Sequence, residues 1–416
     1  MNLDTLRTAF GGRLHTDPAD MAAFLTDWRG KWTGRALAVA QPDSTADVAA
    51  VLRWCHANRV PVVPQGGNTG LSGGSTPDDS GRGLVLSLVR MNKVRSIDAL
   101  NNTLVAEAGA TLRQVQEASR EADRLFPLSL AAEGSCTIGG NLATNAGGVQ
   151  VLRYGNAREL CLGLEVVTAE GEVWNGLRGL RKDNTGYDLR DLYIGSEGTL
   201  GVITSATLKL FPRPAAQVAA FVAVPTPEAA VLLLQLAQRR LGSDLTAFEL
   251  MSDTCIGLVE KHVAAARLPL AERSPWYVLL EVSDARDETH ARDSIEGLLE
   301  AALEQGLASD AALSASLAQF HALWALREDI SESQGAEGKT IKHDISLPIS
   351  CIAEFVASTG AAVERHFPGQ RLVVFGHLGD GDLHYNLSPA VDRTGPAHAG
   401  AFVQARNRLL TGCGEA

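Results

Sequence analysis

Residues 61–74 read Pro61-Val62-Val63-Pro64-Gln65-Gly66-Gly67-Asn68-Thr69-Gly70-Leu71-Ser72-Gly73-Gly74. An apolar run at 60–63 enters a segment with five glycines and two prolines, so a short strand leads into a loop whose backbone must approach something closely. Successive backbone N–H groups without Cβ cover make a concave donor surface suited to a phosphate or pyrophosphate. It is neither of the two common phosphate loops. The G-x-G-x-x-G fingerprint occurs nowhere in the chain, and the lysine of G-x-x-x-x-G-K-[ST] is missing here. Alone, such a run could be a glycine-rich surface turn; a second glycine cluster argues against that.

Outward from this loop, residues 36–64 read strand, helix, strand: 36–40, a helix capped near 43–45 and running through 56, then 60–63. Strand patterns follow at 84–88 and 103–107, with an amphipathic helix over 111–122 opened by Thr111. Glycines return at 133–148, Glu-Gly-Ser-Cys-Thr-Ile-Gly-Gly-Asn-Leu-Ala-Thr-Asn-Ala-Gly-Gly, and at Gly155, where little bulk can be tolerated. Strands at 161–168 and 202–210 bracket the loop Gly195-Ser196-Glu197-Gly198-Thr199-Leu200-Gly201. Phe211-Pro212-Arg213-Pro214 stops this pattern, since proline cannot donate to a ladder, and places a domain boundary between 1–214 and 215–416. Beyond it strands at 218–224, 246–250 and 276–282 alternate with helices at 227–240, 252–265 and 288–306.

The totals exclude several classes. With 416 residues the chain exceeds one ordinary domain. A formal net charge of −11 argues against DNA or RNA as partner. No apolar run approaches the roughly 20 residues that span a bilayer, and the first residues lack a signal-peptide pattern, so a cytoplasmic location is expected. Six scattered cysteines without a C-x-x-C pair make neither a disulfide framework nor a zinc ribbon.

In the second half, a helix predicted over 317–334 puts Arg327 and Ser331 four apart, on one face. An alternating stretch at 339–346 carries Lys342. A guanidinium and an ammonium together suit a carboxylate substrate, although a surface salt bridge of Arg327 with a neighbouring Glu is the plainer alternative. Phe375-Gly376-His377-Leu378-Gly379-Asp380-Gly381-Asp382-Leu383-His384-Tyr385-Asn386 reads as a hairpin with an acidic glycine turn. His377 and His384 flank that turn, where two imidazoles can converge on a divalent metal that still needs a third ligand; zinc, iron or manganese suits such ligands better than calcium.

Together these segments resemble the FAD-dependent D-2-hydroxy-acid dehydrogenases of the vanillyl-alcohol-oxidase type, over about residues 36–390. The resemblance implies an α+β fold: a two-subdomain FAD-binding domain, not Rossmann, followed by an α+β substrate or cap domain. It implies that Gly66, Gly67, Asn68, Thr69, Gly70 and Leu71, after Pro64 and Gln65, hold the FAD pyrophosphate. By the same resemblance Ser135, Thr137, Ile138, Gly139, Gly140, Asn141, Asn145, Gly147, Gly148 and Gly155 run along the flavin and ribityl chain, while Glu197, Gly198 and Ile203 serve the adenosine side. Relatives with covalent FAD carry histidine where this chain has Asn68, so noncovalent FAD is implied.

Arg327, Ser331 and Lys342 resemble the grip on the substrate carboxylates, His377 and His384 the ligands of a catalytic metal, zinc foremost, and Asn386 a further residue at substrate and flavin. The implied reaction takes a D-2-hydroxy acid, D-2-hydroxyglutarate first and D-lactate or glycolate next, to its 2-oxo acid by hydride transfer to flavin N5. Electron-transfer flavoprotein, quinone or cytochrome is the implied acceptor, and a homodimer is admissible. The family pattern continues into a Glu-His pair that Leu409-Leu410-Thr411-Gly412-Cys413-Gly414-Glu415-Ala416 does not contain. Two readings follow: a sequence truncated or frameshifted relative to its relatives, which is the favoured expectation, or a site completed by Asp380, Asp382 or another carboxylate; slow turnover is expected. A catalytically impaired FAD-binding paralogue is the rival reading.

Overall fold

The computed structural model describes residues 3–338 and 340–389. They form two compact units: one reaches Gln150 and resumes at Tyr154–Arg213, and the other holds Val151–Arg153 and the described residues from Pro214 on. Nothing in the residue pattern marked the three-residue excursion at Val151–Arg153.

In the first unit, a four-stranded sheet has the order Arg13–His15, Ala38–Gln41, Leu84–Ser87, Val62–Gln65, with the last three strands parallel. A second, antiparallel sheet has the order Val94–Asp98, Thr103–Glu107, Val202–Lys209, Cys161–Val167, Val173–Gly176. The helix Thr45–Asn58 starts where the Ser44 hydroxyl accepts from the Asp47 amide. Its buried positions Val48, Val51, Leu52 and Cys55 recur at helical spacing and join Leu84, Leu104 and Leu164 in one core. Arg59 ends the helix in the left-handed region (φ 55°), and the Val60 amide caps the Cys55 carbonyl at 2.9 Å. Val60 therefore belongs to the cap, and the next strand begins at Val62 and runs directly into the glycine loop.

In the second unit seven antiparallel-paired strands have the order Asp310–Leu313, Ala216–Val224, Trp276–Asp284, Leu245–Ser252, Arg371–His377, Asp382–Ser388, Asp344–Ser346. Strand side chains alternate between faces. Val222, Leu280, Phe248, Leu250, Val374 and Leu383 pack with Leu233 and Leu234 of Pro227–Leu241, Ile295 and Leu298 of Glu288–Glu304, and Val356 of Ile352–His366. The other parity mixes buried apolar residues, among them Phe221, Tyr277, Leu279 and Met251, with charged ones. Glu249 pairs in register with Leu279, Met251 with Phe375 and Phe375 with His384, which puts Glu281, Glu249, His377 and His384 on one face.

Two sequence expectations are corrected here. The helix over 317–334 is two helices, Leu317–Glu328 and Ile330–Ala336, broken at Asp329 (ψ −6°). The break turns the second helix so that Ile330, Ser333 and Gln334 bury, and Gln334 Nε2 donates to Ser388 Oγ at 3.1 Å. Tertiary hydrogen bonding here overrides helix continuity. Likewise, of the described residues 340–346 only Asp344–Ser346 is strand; Ile341 makes a single bridge to Leu387.

Candidate functional site

The first unit assembles its three glycine-rich segments side by side. A Cβ on Gly66 would overlap the Thr137 hydroxyl oxygen, one on Gly67 the Ser135 carbonyl, and one on Gly148 the Ser129 carbonyl. Gly198 (φ 77°) packs on Pro64, where a Cβ would lie 2.8 Å from Cγ, and a Cβ on Gly74 would lie 3.2 Å from Glu197 Oε2. The loops at 66–74, 134–148 and 195–201 thus approach at backbone distance, which only glycine permits. Asn68, Asn145 and Glu197 are left-handed without being glycine (φ 52°, 49° and 52°), a conformation held by the surrounding structure.

Several predicted cofactor residues are partly engaged inside the unit. Gln65 Nε2 donates to the Phe24 and Ser75 carbonyls, both at 2.9 Å, and so ties the far end of the loop to the strand. Asn68 donates to the Thr26 carbonyl at 2.8 Å and accepts from Ser75 Oγ at 2.8 Å. Asn145 Oδ1 accepts from the Arg158 amide at 3.0 Å. Ile138 and Asn141 are buried in the short helix Ile138–Ala143, and Ile203 in the strand Val202–Lys209. A Cβ on Gly139 would overlap Ala108, and Gly155 is left-handed (φ 78°). Nothing lies within 4 Å of where a Cβ on Gly70 would project, so the loop's middle is open. The Thr137 hydroxyl is buried without a hydrogen-bond partner among the described residues. An orphan hydroxyl beside a Cβ-free cradle fits a group that brings its own acceptors, as FAD does.

The second unit carries a charged cluster around Glu249. Arg327 Nε donates to Glu249 Oε2 at 2.7 Å, and its Cζ stacks 4.7 Å from the Phe375 ring centroid. Glu249 Oε1 pairs with His377 Nδ1 at 2.7 Å. His384 Nδ1 pairs with Asp344 Oδ1 at 2.6 Å, and the two imidazole centroids lie 5.5 Å apart. Burial alone would raise the Glu249 pKa, but the His377 and Arg327 charges pull it down to about 2. Burial opposes the His377 imidazolium, yet Glu249 outweighs it and the His377 pKa lies above its ordinary value. Asp344 lies below the usual carboxylate range, chiefly through His384, with Lys342 contributing.

Arg327 is buried, whereas Ser331 and Lys342 are exposed. Asn386 is buried, its Nδ2 donating to Gln334 Oε1 at 3.0 Å and its Oδ1 accepting from the His343 amide at 3.1 Å. In this structure it links the helix Ile330–Ala336 to the segment before Asp344. Among the described residues no three His, Cys, Asp or Glu side chains converge as metal ligands, so Asp380 and Asp382 do not form such a group with His377 and His384 in this structure. Burial pushes the Asp380 pKa up to about 6. Residues 409–416, which lack the family's Glu-His pair, lie outside the described residues.

Sequence reasoning missed Glu249, Asp344 and Glu281. For Glu249 a signal exists: an acid in the apolar run Thr246-Ala247-Phe248-Glu249-Leu250-Met251, since a buried Glu is rare unless paired.

Residues 36–176 match the family described as "FAD binding domain", and residues 213–413 match "FAD linked oxidases, C-terminal domain". A D-2-hydroxyglutarate dehydrogenase of Xanthomonas citri pv. viticola is 44% identical over 375 residues, covering 90% of this chain and 78% of that protein. The mitochondrial D-2-hydroxyglutarate dehydrogenases of Bos taurus and Danio rerio are 41% and 39% identical, covering 93% and 94% of this chain and 70% and 72% of those proteins. Among solved structures, p-cresol methylhydroxylase with substrate bound superposes with a TM-score of 0.75 at 16% identity, over 98% of this chain and 86% of that one. An alkyldihydroxyacetonephosphate synthase superposes with a TM-score of 0.75 at 17% identity, over 97% and 78%. At such identities these two establish the fold alone. No helix among the described residues is long and apolar enough to cross a membrane.

Proposed function

Because the chain belongs to the D-2-hydroxyglutarate dehydrogenase family of FAD-linked oxidases, we propose that it holds FAD noncovalently and oxidises D-2-hydroxyglutarate to 2-oxoglutarate. The observation that carries this reading is the Arg327 guanidinium, buried against Glu249 and Phe375 beside two carboxylate-bound imidazoles. The first unit would hold the cofactor through residues 66–71 and 135–148, with the Thr137 hydroxyl free to donate. FAD, when bound, supplies the two-electron acceptor for the hydride that leaves C2.

The chain's own residues do the rest. Arg327 offers a planar fork to one substrate carboxylate, and the exposed Lys342 offers a point charge for the other. Carboxylates can only accept, so Glu249 and Asp344 hold a proton on Nδ1 of His377 and His384 and turn each Nε2 lone pair outward. Such an Nε2 can take the C2 hydroxyl proton or bind a cation. Nδ1 anchored by a carboxylate is the usual second layer of a histidine metal ligand, which supports giving both rings to a divalent cation such as zinc. Two imidazoles do not complete a ligand set, so no step is routed through that cation. Electrons would leave to an acceptor other than nicotinamide: electron-transfer flavoprotein, a quinone or a cytochrome.

The test is anaerobic mixing of the FAD-loaded chain with D-2-hydroxyglutarate, D-lactate and glycolate, following oxidised-flavin absorbance. Bleaching by D-2-hydroxyglutarate at the lowest concentration supports the reading. Bleaching by D-lactate or glycolate alone would reassign the substrate, and no bleaching by any of them would leave an FAD-binding paralogue.

A further inference from the structure

Glu249 stands within the strand Leu245–Ser252, every residue of which is buried, and its own side chain is 1% exposed. A carboxylate there is tolerated only when paired and hydrogen-bonded, and both of its oxygens are occupied. What they hold are two groups with different tasks in the proposed reaction. We infer that Glu249 is a positioning residue that sets the substrate-gripping fork of Arg327 and the tautomer of His377 with one carboxylate. The Arg327 half rests on the dehydrogenase reading; the His377 half rests on geometry alone.

A guanidinium has five N–H donors in one plane. Stacking on Phe375 fixes the plane, and the bond from Nε to Glu249 fixes its rotation within that plane. Nη1 and Nη2 make no hydrogen bond among the described residues, so this edge remains for a bidentate carboxylate. On the other oxygen, a neutral imidazole carries one N–H, and facing a carboxylate it must be Nδ1–H. In that neutral form Nε2 is a lone pair. One buried acid thereby couples recognition of a carboxylate to the acceptor state of the neighbouring ring.

Glu249→Gln keeps the shape and breaks this logic. An amide has one acceptor oxygen and one donor nitrogen, so it cannot accept from both partners. If its oxygen serves Arg327, its NH2 faces His377 Nδ1, which must give up its proton to Nε2.

The experiment uses the FAD-loaded full chain and its Glu249→Gln variant, with FAD content and thermal melting as the check on folding. Nitrogen-15 spectra of labelled histidine, assigned with His377→Gln, report the tautomer; titration with 2-oxoglutarate reports the grip. The expected result is Nδ1–H at His377 in the parent, Nε2–H in the variant, and 2-oxoglutarate affinity weakened about tenfold or more. An unchanged tautomer in a folded variant, or an affinity within about twofold of the parent's, overturns the inference. Should the variant not fold, the parent spectrum, recorded at a pH where His377 is neutral, decides: a sole proton on Nε2 overturns it, and a sole proton on Nδ1 sustains it. Failure of the dehydrogenase reading looks different, as a parent flavin that no 2-hydroxy acid reduces while the His377 tautomer still switches.

Discussion

Replacing Glu281 by glutamine should flatten the loss of stability that the chain suffers as pH rises from mildly acidic to neutral. Glu281 lies on the same face of the seven-stranded sheet as Glu249, 3% exposed. Burial raises its pKa to about 7 from an ordinary 4.5, against hydrogen bonds from Gln217 Nε2 (3.0 Å), Ser283 Oγ (3.2 Å) and Trp324 Nε1 (3.0 Å). Between these two values the folded state keeps a proton that the unfolded state has lost, so stability falls as pH rises through the interval. Below 4.5 both states are protonated and nothing is lost; above about 7 both are ionised and the loss is complete. At roughly 1.4 kcal/mol per pKa unit, the shift corresponds to on the order of 3 kcal/mol. Urea unfolding followed by tryptophan emission, at intervals from acid to slightly alkaline pH, measures it directly. The variant minus parent difference should grow by that amount across the interval and then level off. A difference that stays flat within about 0.5 kcal/mol would show that Glu281 is already ionised in the folded chain.

Other consequences follow from single contacts. Gly67→Ala drives a Cβ into the Ser135 carbonyl and should strip FAD, read as a lower flavin-to-protein absorbance ratio in a chain that still melts cooperatively. Arg327→Ala leaves the Glu249 carboxylate buried with one partner removed and should cost about 3–5 kcal/mol in urea unfolding, beyond any effect on substrate. Thr111 and Gln114 form a capping box at Leu112–Glu121, so Thr111→Ala should cost about 1 kcal/mol without changing FAD content.

Much of the site was legible in the chain. The glycines at 66–74, 134–148 and 195–201 could be read as points of close approach, because glycine's meaning is local: no Cβ; in the structure several of them meet one another's loops. The hairpin Arg371–His377 and Asp382–Ser388 was equally local, two β runs around Gly-Asp-Gly-Asp. The helix break at Asp329 was not legible, since no proline or glycine marks it and the cause is Gln334 reaching Ser388, 54 residues away in sequence. Nor was the engagement of Asn386, whose partners come from the helix Ile330–Ala336 and from His343.

By itself the sequence determined the strand and helix periods, a domain boundary at Phe211-Pro212-Arg213-Pro214, and which residue types line each candidate site. Only the tertiary structure decided what charges those residues carry and where they point. Strand register put Glu249 beside Phe375 and His377, 128 positions away in the chain for the histidine, and a carboxylate's effect on a guanidinium or an imidazole depends on ångström separation in a dry interior. Periodicity gives the face of a strand, while the partner across that face is set by which strands lie next to it.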